Sequence, residues 1–189
     1  NANYVFFQNA DDRELFEKEK LIPENVPRKV IPGTGINIDH FSSRPYPVSN
    51  PVTFLLIARM LWDKGVGEFV EAARQMKSEF SDIRFQLLGF IDVSNRTAIS
   101  NQQMKIWREQ GIIEYLGETG DVREHIASSS CVVLPSYREG LPRTLLEAAS
   151  MGRPIIATDV TGCREVVEHG MNGYLCKPRD ANDLAQKII

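Results

Sequence analysis

From Pro51 onward the sequence predicts an α/β fold in which a parallel sheet carries helices on both faces. Three observations predict it. Short apolar runs alternate with amphipathic stretches through to Ile189, the rhythm of repeated strand and crossover helix. Runs such as Val52 to Ala58 and Cys131 to Leu134 are almost wholly apolar, as strands covered on both faces must be. Glycine or proline punctuates the boundaries, with Gly89 and Gly117 ending strands and Pro135 ending the Cys131 run.

Each element has its own signal. Tyr4 to Phe7 predicts a strand, and Asp11 to Lys20 a helix with an acidic start, the apolar pair Leu15 and Phe16, and a basic end. Val30-Ile-Pro32 predicts a second short strand. Ser42 to Pro51, with Pro45, Pro47 and Pro51, has the stiffness of an interdomain linker. Val52 to Ala58 then predicts a strand and Val66 to Lys77 a helix burying Val66, Phe69, Val70, Ala73 and Met76 on one face. Ile83 to Leu88 is the next strand, followed by a helix from about Thr97 to Gln110, closed by Gly111. Ile112 to Leu116, a short helix around Asp121 to Ser128, and Cys131 to Leu134 continue the pattern. Beyond them lie a strand at Pro154 to Thr158, a helix at Gly162 to His169 ended by Gly170, a strand at Tyr174 to Cys176, and a final helix capped by Asp180. The chain begins with Asn and ends within that last helix, and is expected to be a piece of a longer protein.

Composition narrows the function. With 189 residues, 42% apolar and 25% charged, the chain can bury one good core with a small appendage. A net charge of −3 without a long basic run argues against a nucleic-acid partner. Cys131, Cys163 and Cys176 are far apart, sit in or beside apolar segments and have no metal-type spacing; they are expected to be buried, reduced thiols of a cytoplasmic protein. No leader is visible, and no apolar run approaches a membrane span.

The chemistry concentrates after Leu134. Pro142 suits the first position of a helix, and Leu141, Leu145, Ala148, Ala149 and Gly152 recur at helical spacing to face the sheet, leaving Thr144 and Glu147 on the other side. The bare amides of Arg143 and Thr144, with about half a positive charge at the helix start, could hold a phosphate. Glu139 precedes that start and Glu147 follows Pro142 by five residues, roughly 7.5 Å of axial rise. That length is comparable to the separation of two sugar rings joined by a diphosphate. Carboxylates accept from paired hydroxyls, so one Glu could hold each sugar. The same two residues also fit a turn carboxylate and a solvated helix carboxylate. Arg59 and Lys64, five apart in the loop after the first long strand, could converge on the same anion, and they also read as surface charges.

Glu139-Gly-Leu-Pro-Arg-Thr-Leu-Leu-Glu147, preceded by Pro-Ser-Tyr-Arg and followed by Ala-Ala-Ser-Met-Gly-Arg-Pro-Ile-Ile-Ala-Thr-Asp, resembles the Glu-x7-Glu signature of family 4 retaining glycosyltransferases of the GT-B fold. The match runs from about Pro51 to Ile189. The earlier Phe6 to Phe16 and Val30 to Phe41 resemble the end of that family's acceptor-side domain, with Gly33 and Thr34 where Asn and Gly are commoner. The resemblance implies a Rossmann-like donor domain, the C-terminal half of a GT-B fold truncated at its last helix, over residues 46–189, preceded by an acceptor-domain remnant and linker at 1–45.

It also implies roles. Arg59 and Lys64, in a segment similar to Gly-Arg-x4-Lys-Gly but with Ala58 in place of Gly, would bind the donor diphosphate and stabilise the leaving nucleotide. Glu139 would position the sugar, without serving as a nucleophile, and these three form the implied catalytic set. Gly140, Leu141, Arg143 and Thr144 would line the donor, Glu147 would take the ribose hydroxyls, and Leu116, beside the loop Gly117-Glu-Thr-Gly120, would touch the base through its backbone. That loop equally fits an ordinary strand-to-helix turn, and Thr161-Gly-Cys-Arg-Glu165, similar to the family's Gly-x-x-Glu turn, fits a plain helix start. In this family, retention is attributed to attack from the leaving-group face, with the diphosphate oxygen helping to deprotonate the acceptor.

The implied activity is metal-independent transfer of a hexose or N-acetylhexosamine from a nucleotide sugar, with UDP the expected carrier, to a lipid-linked or glycan acceptor in surface polysaccharide or capsule synthesis. No cofactor is expected. Asp92, Asp121, Asp159 and Asp180 are dispersed, no Asp-x-Asp occurs, and His40, His125 and His169 make no ligand pattern. Full-length relatives could sit at the inner membrane face, and this chain alone, without most of its acceptor domain, is expected to turn over negligibly. The alternatives are a non-catalytic nucleotide-binding module and a GT-B-fold epimerase, the latter needing more acid and base groups than three histidines supply. Gly65-Val-Gly67 and Gly33-Thr-Gly35 complete neither Gly-x-Gly-x-x-Gly nor a P-loop.

Overall fold

The computed structural model describes residues 3–31, 33–48, 51–91 and 94–189. Two sheets are present among them: a pair formed by β1 (Val5–Phe7) and β2 (Arg28–Val30), and a six-stranded sheet. The larger sheet contains β3 (Val52–Ile57), β4 (Ile83–Leu88), β5 (Glu114–Tyr115), β6 (Cys131–Leu134), β7 (Ile155–Thr158) and β8 (Gly173–Cys176). Its order is β5-β4-β3-β6-β7-β8, and every pairing is parallel. Strands are therefore added to one side of β3 and then, from β6 onward, to the other. This reversal opens a crevice at the carboxyl ends of β3 and β6, where ligands of open α/β sheets bind.

The period of two along a strand divides the core between the sheet's faces. Phe54 and Leu56 of β3, Phe85 and Leu87 of β4, and Cys131 and Val133 of β6 point to one face. There they meet α2 (Val66–Glu79), α3 (Asn101–Glu109) and α7 (Ala181–Ile188) through residues such as Phe69, Trp107 and Leu184. Leu55, Leu88, Val132 and Leu134 point to the other, against Ile126 of α4 (Arg123–Ser128) and Leu145 and Ala148 of α5 (Arg143–Ser150). Phe69 and Phe85 pack edge to face at 5.4 Å and are fully buried, each contributing about 1.5–3 kcal/mol by leaving water. α2 buries all five residues expected, and Ala72 with them.

Local chemistry sets most boundaries. Asn9, Ser100 and Asp180 cap α1 (Ala10–Lys18), α3 and α7 by accepting from the amides of Asp12, Gln103 and Asp183. The third helix accordingly starts after Ser100 and not at Thr97, whose amide turns back to Asn95 Oδ1. The expected helix at Gly162 to His169 is only α6 (Thr161–Arg164); the chain then turns, and His169 forms a bridge with Gly173 while its Nδ1 accepts from Leu175 N. α1 buries none of its residues. The expected strand Val30 to Pro32 lies earlier, at β2, and Pro32, Ser49, Asn50 and Asp92 lie outside the described residues.

α5 departs most from the helical-face expectation. Pro142 is its N-cap, with φ −74° and ψ 106°, one position before the helix proper. Ala149 and Gly152 are exposed, whereas Glu147 and Met151 are buried. The helix is rotated so that the Glu147 side faces protein. The segment after Phe41, expected as a linker, is pinned to this corner: Arg153, buried, donates to Arg44 O, Pro45 O and Ile126 O at 3.1, 2.6 and 3.2 Å. The three cysteines are free and buried.

Candidate functional site

A cavity of about 210 Å³ lies in the crevice between β3 and β6, lined by Ile57, Ala58, Lys64, Leu134, Glu139, Leu141, Pro142, Arg143 and Thr144. A larger cavity, about 940 Å³, opens at the amino ends of β3, β6, β7 and β8. None of the site residues expected from sequence lines it, so the smaller crevice is the relevant one.

Two loops build its wall. The first leaves β3, makes a 3₁₀ turn over Trp62–Lys64 and enters α2 through Gly65, whose φ is +71°. A β-carbon there would lie 2.0 Å from Pro135 O, so only glycine lets this loop approach the loop after β6. The two are then stitched together: Tyr137 N donates to Asp63 O at 2.9 Å and Ser136 Oγ to the same carbonyl at 3.2 Å. Tyr137 OH reaches α2, donating to Glu68 Oε1 at 2.6 Å, and burial followed by the Glu68 contact pushes its phenol up to about 12. The result brings Lys64 Nζ to 2.6 Å from Glu139 Oε1.

The other wall is the start of α5. Leu145 N donates to Pro142 O at 3.1 Å, and the preceding amides of Arg143 and Thr144 have no acceptor among the described residues. These amides and the helix dipole face the cavity that holds the Lys64–Glu139 pair, a combination that suits a polyanion. Thr144 Oγ1 also donates to Ile57 O at 3.4 Å, tying α5 to β3.

The expected residues separate here. Lys64, Glu139, Leu141, Arg143 and Thr144 line the crevice, whereas Arg59, Gly140, Glu147 and Leu116 do not. Arg59 is exposed just beyond the end of β3, and of the two basic residues it is Lys64 that lines this cavity. Glu147 lies one turn along α5 from Thr144, 9% exposed, with Arg143 Nη2 3.7 Å away; burial raises its carboxyl above the usual value and Arg143 opposes the shift. The Leu116 amide is committed to Leu87 O at 2.9 Å, leaving its carbonyl for any base. Among the described residues no group of three His, Cys, Asp or Glu side chains could hold a metal, and no helix is long and apolar enough to cross a membrane.

Sequence reasoning missed Asn9, whose Nδ2 donates to Gly140 O at 3.3 Å. Its cap of α1 was the only signal available. The Thr161 turn does pack at the site: a β-carbon on Gly162 would lie 2.5 Å from both Glu139 O and Gly140 O.

An open parallel sheet whose strand order reverses beside a charged crevice defines a doubly wound α/β class, in which ligands bind at that switch point. Within it, residues 51–189 match the family described as glycosyl transferases group 1, and the chain belongs to that family. It is 37% identical over 199 aligned positions, 99% of this chain and 50% of the relative, to an N,N'-diacetylbacillosaminyl-diphospho-undecaprenol alpha-1,3-N-acetylgalactosaminyltransferase of Campylobacter jejuni. It is 28% identical over 163 positions, 82% of the chain and 39% of the relative, to the putative colanic acid biosynthesis glycosyltransferase WcaL of Escherichia coli. Among solved structures, Anabaena Alr3699/HepE in complex with UDP superposes with a TM-score of 0.79 at 22% identity, covering 98% of this chain and 52% of that one. That likeness establishes the GT-B type of fold. The chain spans about half the length of the first of these relatives or less.

Proposed function

We propose that this chain is the donor-binding half of a retaining, metal-independent glycosyltransferase that moves a hexose or N-acetylhexosamine from a UDP-sugar to a lipid-linked or glycan acceptor. One observation carries the reading: the Lys64–Glu139 pair stands in the same crevice as the bare amides of α5. A diphosphate arriving there meets two amides, a helix dipole and an ammonium group. Lys64 exchanges the carboxylate for phosphate oxygens, and Glu139, an acceptor-only group, turns to the sugar hydroxyls.

In transfer the bond from the anomeric carbon to the diphosphate oxygen breaks, and its electron pair leaves on UDP. The acceptor oxygen bonds to that carbon from the same face, and its proton passes to the departing diphosphate oxygen. Charge grows on the diphosphate, where Lys64 and the α5 amides are already fixed, so the barrier falls electrostatically. Those groups supply the positive charge that a divalent ion would otherwise provide. Arg59 contributes to the leaving group only by reaching in from the β3 terminus. Glu147 takes the ribose hydroxyls and the Leu116 carbonyl the base. The relative from Campylobacter jejuni, named for an undecaprenol-linked acceptor, supports the acceptor class, and the UDP complex of HepE supports the carrier. Neither the epimerase nor the non-catalytic module is favoured by these relatives. Residues 1–45 belong on this reading to the acceptor side and 46–189 to the donor side. The site of action is cytoplasmic, at the inner membrane face.

Calorimetric titration with UDP, GDP and ADP tests the reading. Saturable UDP binding is expected, weakened about tenfold or more in Lys64→Ala and in Glu147→Ala. Equal binding by the unsubstituted chain and both variants rejects the site.

A further inference from the structure

The peptide that joins Glu139 to Gly140 is held on two sides by segments remote in sequence. Beneath it lies the start of α6, with Gly162 so close that a β-carbon would meet both carbonyl oxygens at 2.5 Å. Above it lies the N-terminal segment: a β-carbon on Gly140 would be 2.0 Å from Gln8 Oε1, and Asn9 Nδ2 donates to Gly140 O at 3.3 Å. Flanking contacts reinforce the clamp. The Arg138 guanidinium pairs with Asp12, and Thr161 Oγ1 donates to Asp11 Oδ2 at 2.6 Å.

Asn9 is 2% exposed and uses both ends of its amide. Its Oδ1 accepts from Asp12 N at 2.7 Å, capping α1, and its Nδ2 serves Gly140 O and Asp12 Oδ2. The cap needs only an acceptor, so the N–H directed at Gly140, 131 residues away, has a separate consequence. It fixes the backbone from which the Glu139 carboxylate enters the crevice. From the side-chain end Glu139 is held by Lys64 alone among the described residues. Once Lys64 turns to an anion, the backbone clamp is what keeps the carboxylate in place.

We propose that Asn9 is a positioning residue for Glu139, donating to the Gly140 carbonyl so that the carboxylate is set for the sugar of the donor and not for its nucleotide. The inference rests on the donor-binding reading above. It makes the N-terminal segment part of sugar recognition, although none of that segment's described side chains lines the crevice.

The test compares UDP with UDP-glucose and UDP-N-acetylgalactosamine in calorimetric titrations of this chain. The sugar increment is the ratio of the UDP dissociation constant to that of the UDP-sugar. Asn9→Ala is expected to lower the increment about fivefold, the size of one lost hydrogen bond, with UDP affinity within about twofold. Asn9→Ser caps a helix equally well, brings no second carboxylate against Asp12, and has no amide N–H for Gly140. It is expected to restore much of the thermal stability lost in Asn9→Ala without restoring the increment. Gly162→Ala, which pushes on the same peptide from below, is expected to reduce the increment as well. Recovery of both stability and increment in Asn9→Ser means that Asn9 acts only as a cap and overturns the inference. So does equal weakening of UDP and UDP-sugar, or an increment that is absent from the unsubstituted chain. Failure of the unsubstituted chain to bind UDP at all overturns the donor reading itself, and with it this inference.

Discussion

Lys64 Nζ lies 2.6 Å from Glu139 Oε1, although 75 residues separate them in the chain. The pair is largely withdrawn from solvent, Lys64 being 24% and Glu139 12% exposed in their side chains. Removing one member of such a pair leaves the other charge poorly solvated. Lys64→Ala is therefore expected to cost about 1–3 kcal/mol in urea unfolding. Adding Glu139→Ala should recover part of that loss, with a coupling of about 1 kcal/mol. Strict additivity of the two substitutions would show that the pair carries no net interaction.

Glu147 makes stability depend on pH. Its carboxyl ionises near 4.5 when unperturbed, and burial raises it in the folded state against the pull of Arg143. The folded chain thus holds the proton more tightly than the unfolded one. Its stabilising contribution is full below pH 4.5 and is lost as pH rises through the higher folded-state value. Glu147→Gln should consequently raise the melting temperature at about pH 7.5 and change it little at about pH 4. An equal rise at both would contradict the shift. UDP affinity should run the other way in the unsubstituted chain, strengthening as Glu147 ionises.

Gly65 and Gly111 share a left-handed backbone, at φ +71° and +68°, but only Gly65 is pressed against another strand's end, and Gly111 has nothing within 4 Å of a β-carbon. Gly111→Ala should cost about 1 kcal/mol from the backbone alone. Gly65→Ala should cost about 2–4 kcal/mol and weaken UDP binding, because Lys64 moves with the turn. Similar losses for the two, read from denaturant midpoints, would remove the Pro135 contact from the account.

The thiols of Cys131, Cys163 and Cys176 are each pushed up to about 12, in every case chiefly by burial. Thiolate, the reactive form, is then scarce at neutral pH. Iodoacetamide at about pH 8 should leave the native chain unmodified and label all three positions once urea is present. Rapid labelling of Cys163, the one nearest Glu139, would mean that the crevice opens far more often than its packing implies.

Much of the fold was legible because its signals are local. Ile83 to Leu88 and Cys131 to Leu134 end where apolar runs meet a glycine or a proline, and both strands fall on those residues. Asp180 capped a helix as expected. The Gly162 helix failed for a local reason too: its apolar spacing continues through Val167, but the turn at Glu165 lets His169 pair with Gly173.

By itself the sequence determined the order of strands and helices, the bare helix start after Pro142 and the charged residues placed beside it. Those follow from side-chain periodicity, proline chemistry and caps, which act over a few residues. Only the tertiary structure decided which charges meet. The switch in strand order at β3 and β6 draws the Asp63 carbonyl to Tyr137 and Lys64 to Glu139, and the packing of α5 turns Glu147 toward protein. Packing of the N-terminal segment likewise sets Asn9 against Gly140, 131 residues away. Such pairings depend on how whole elements pack, and no window of sequence contains both partners.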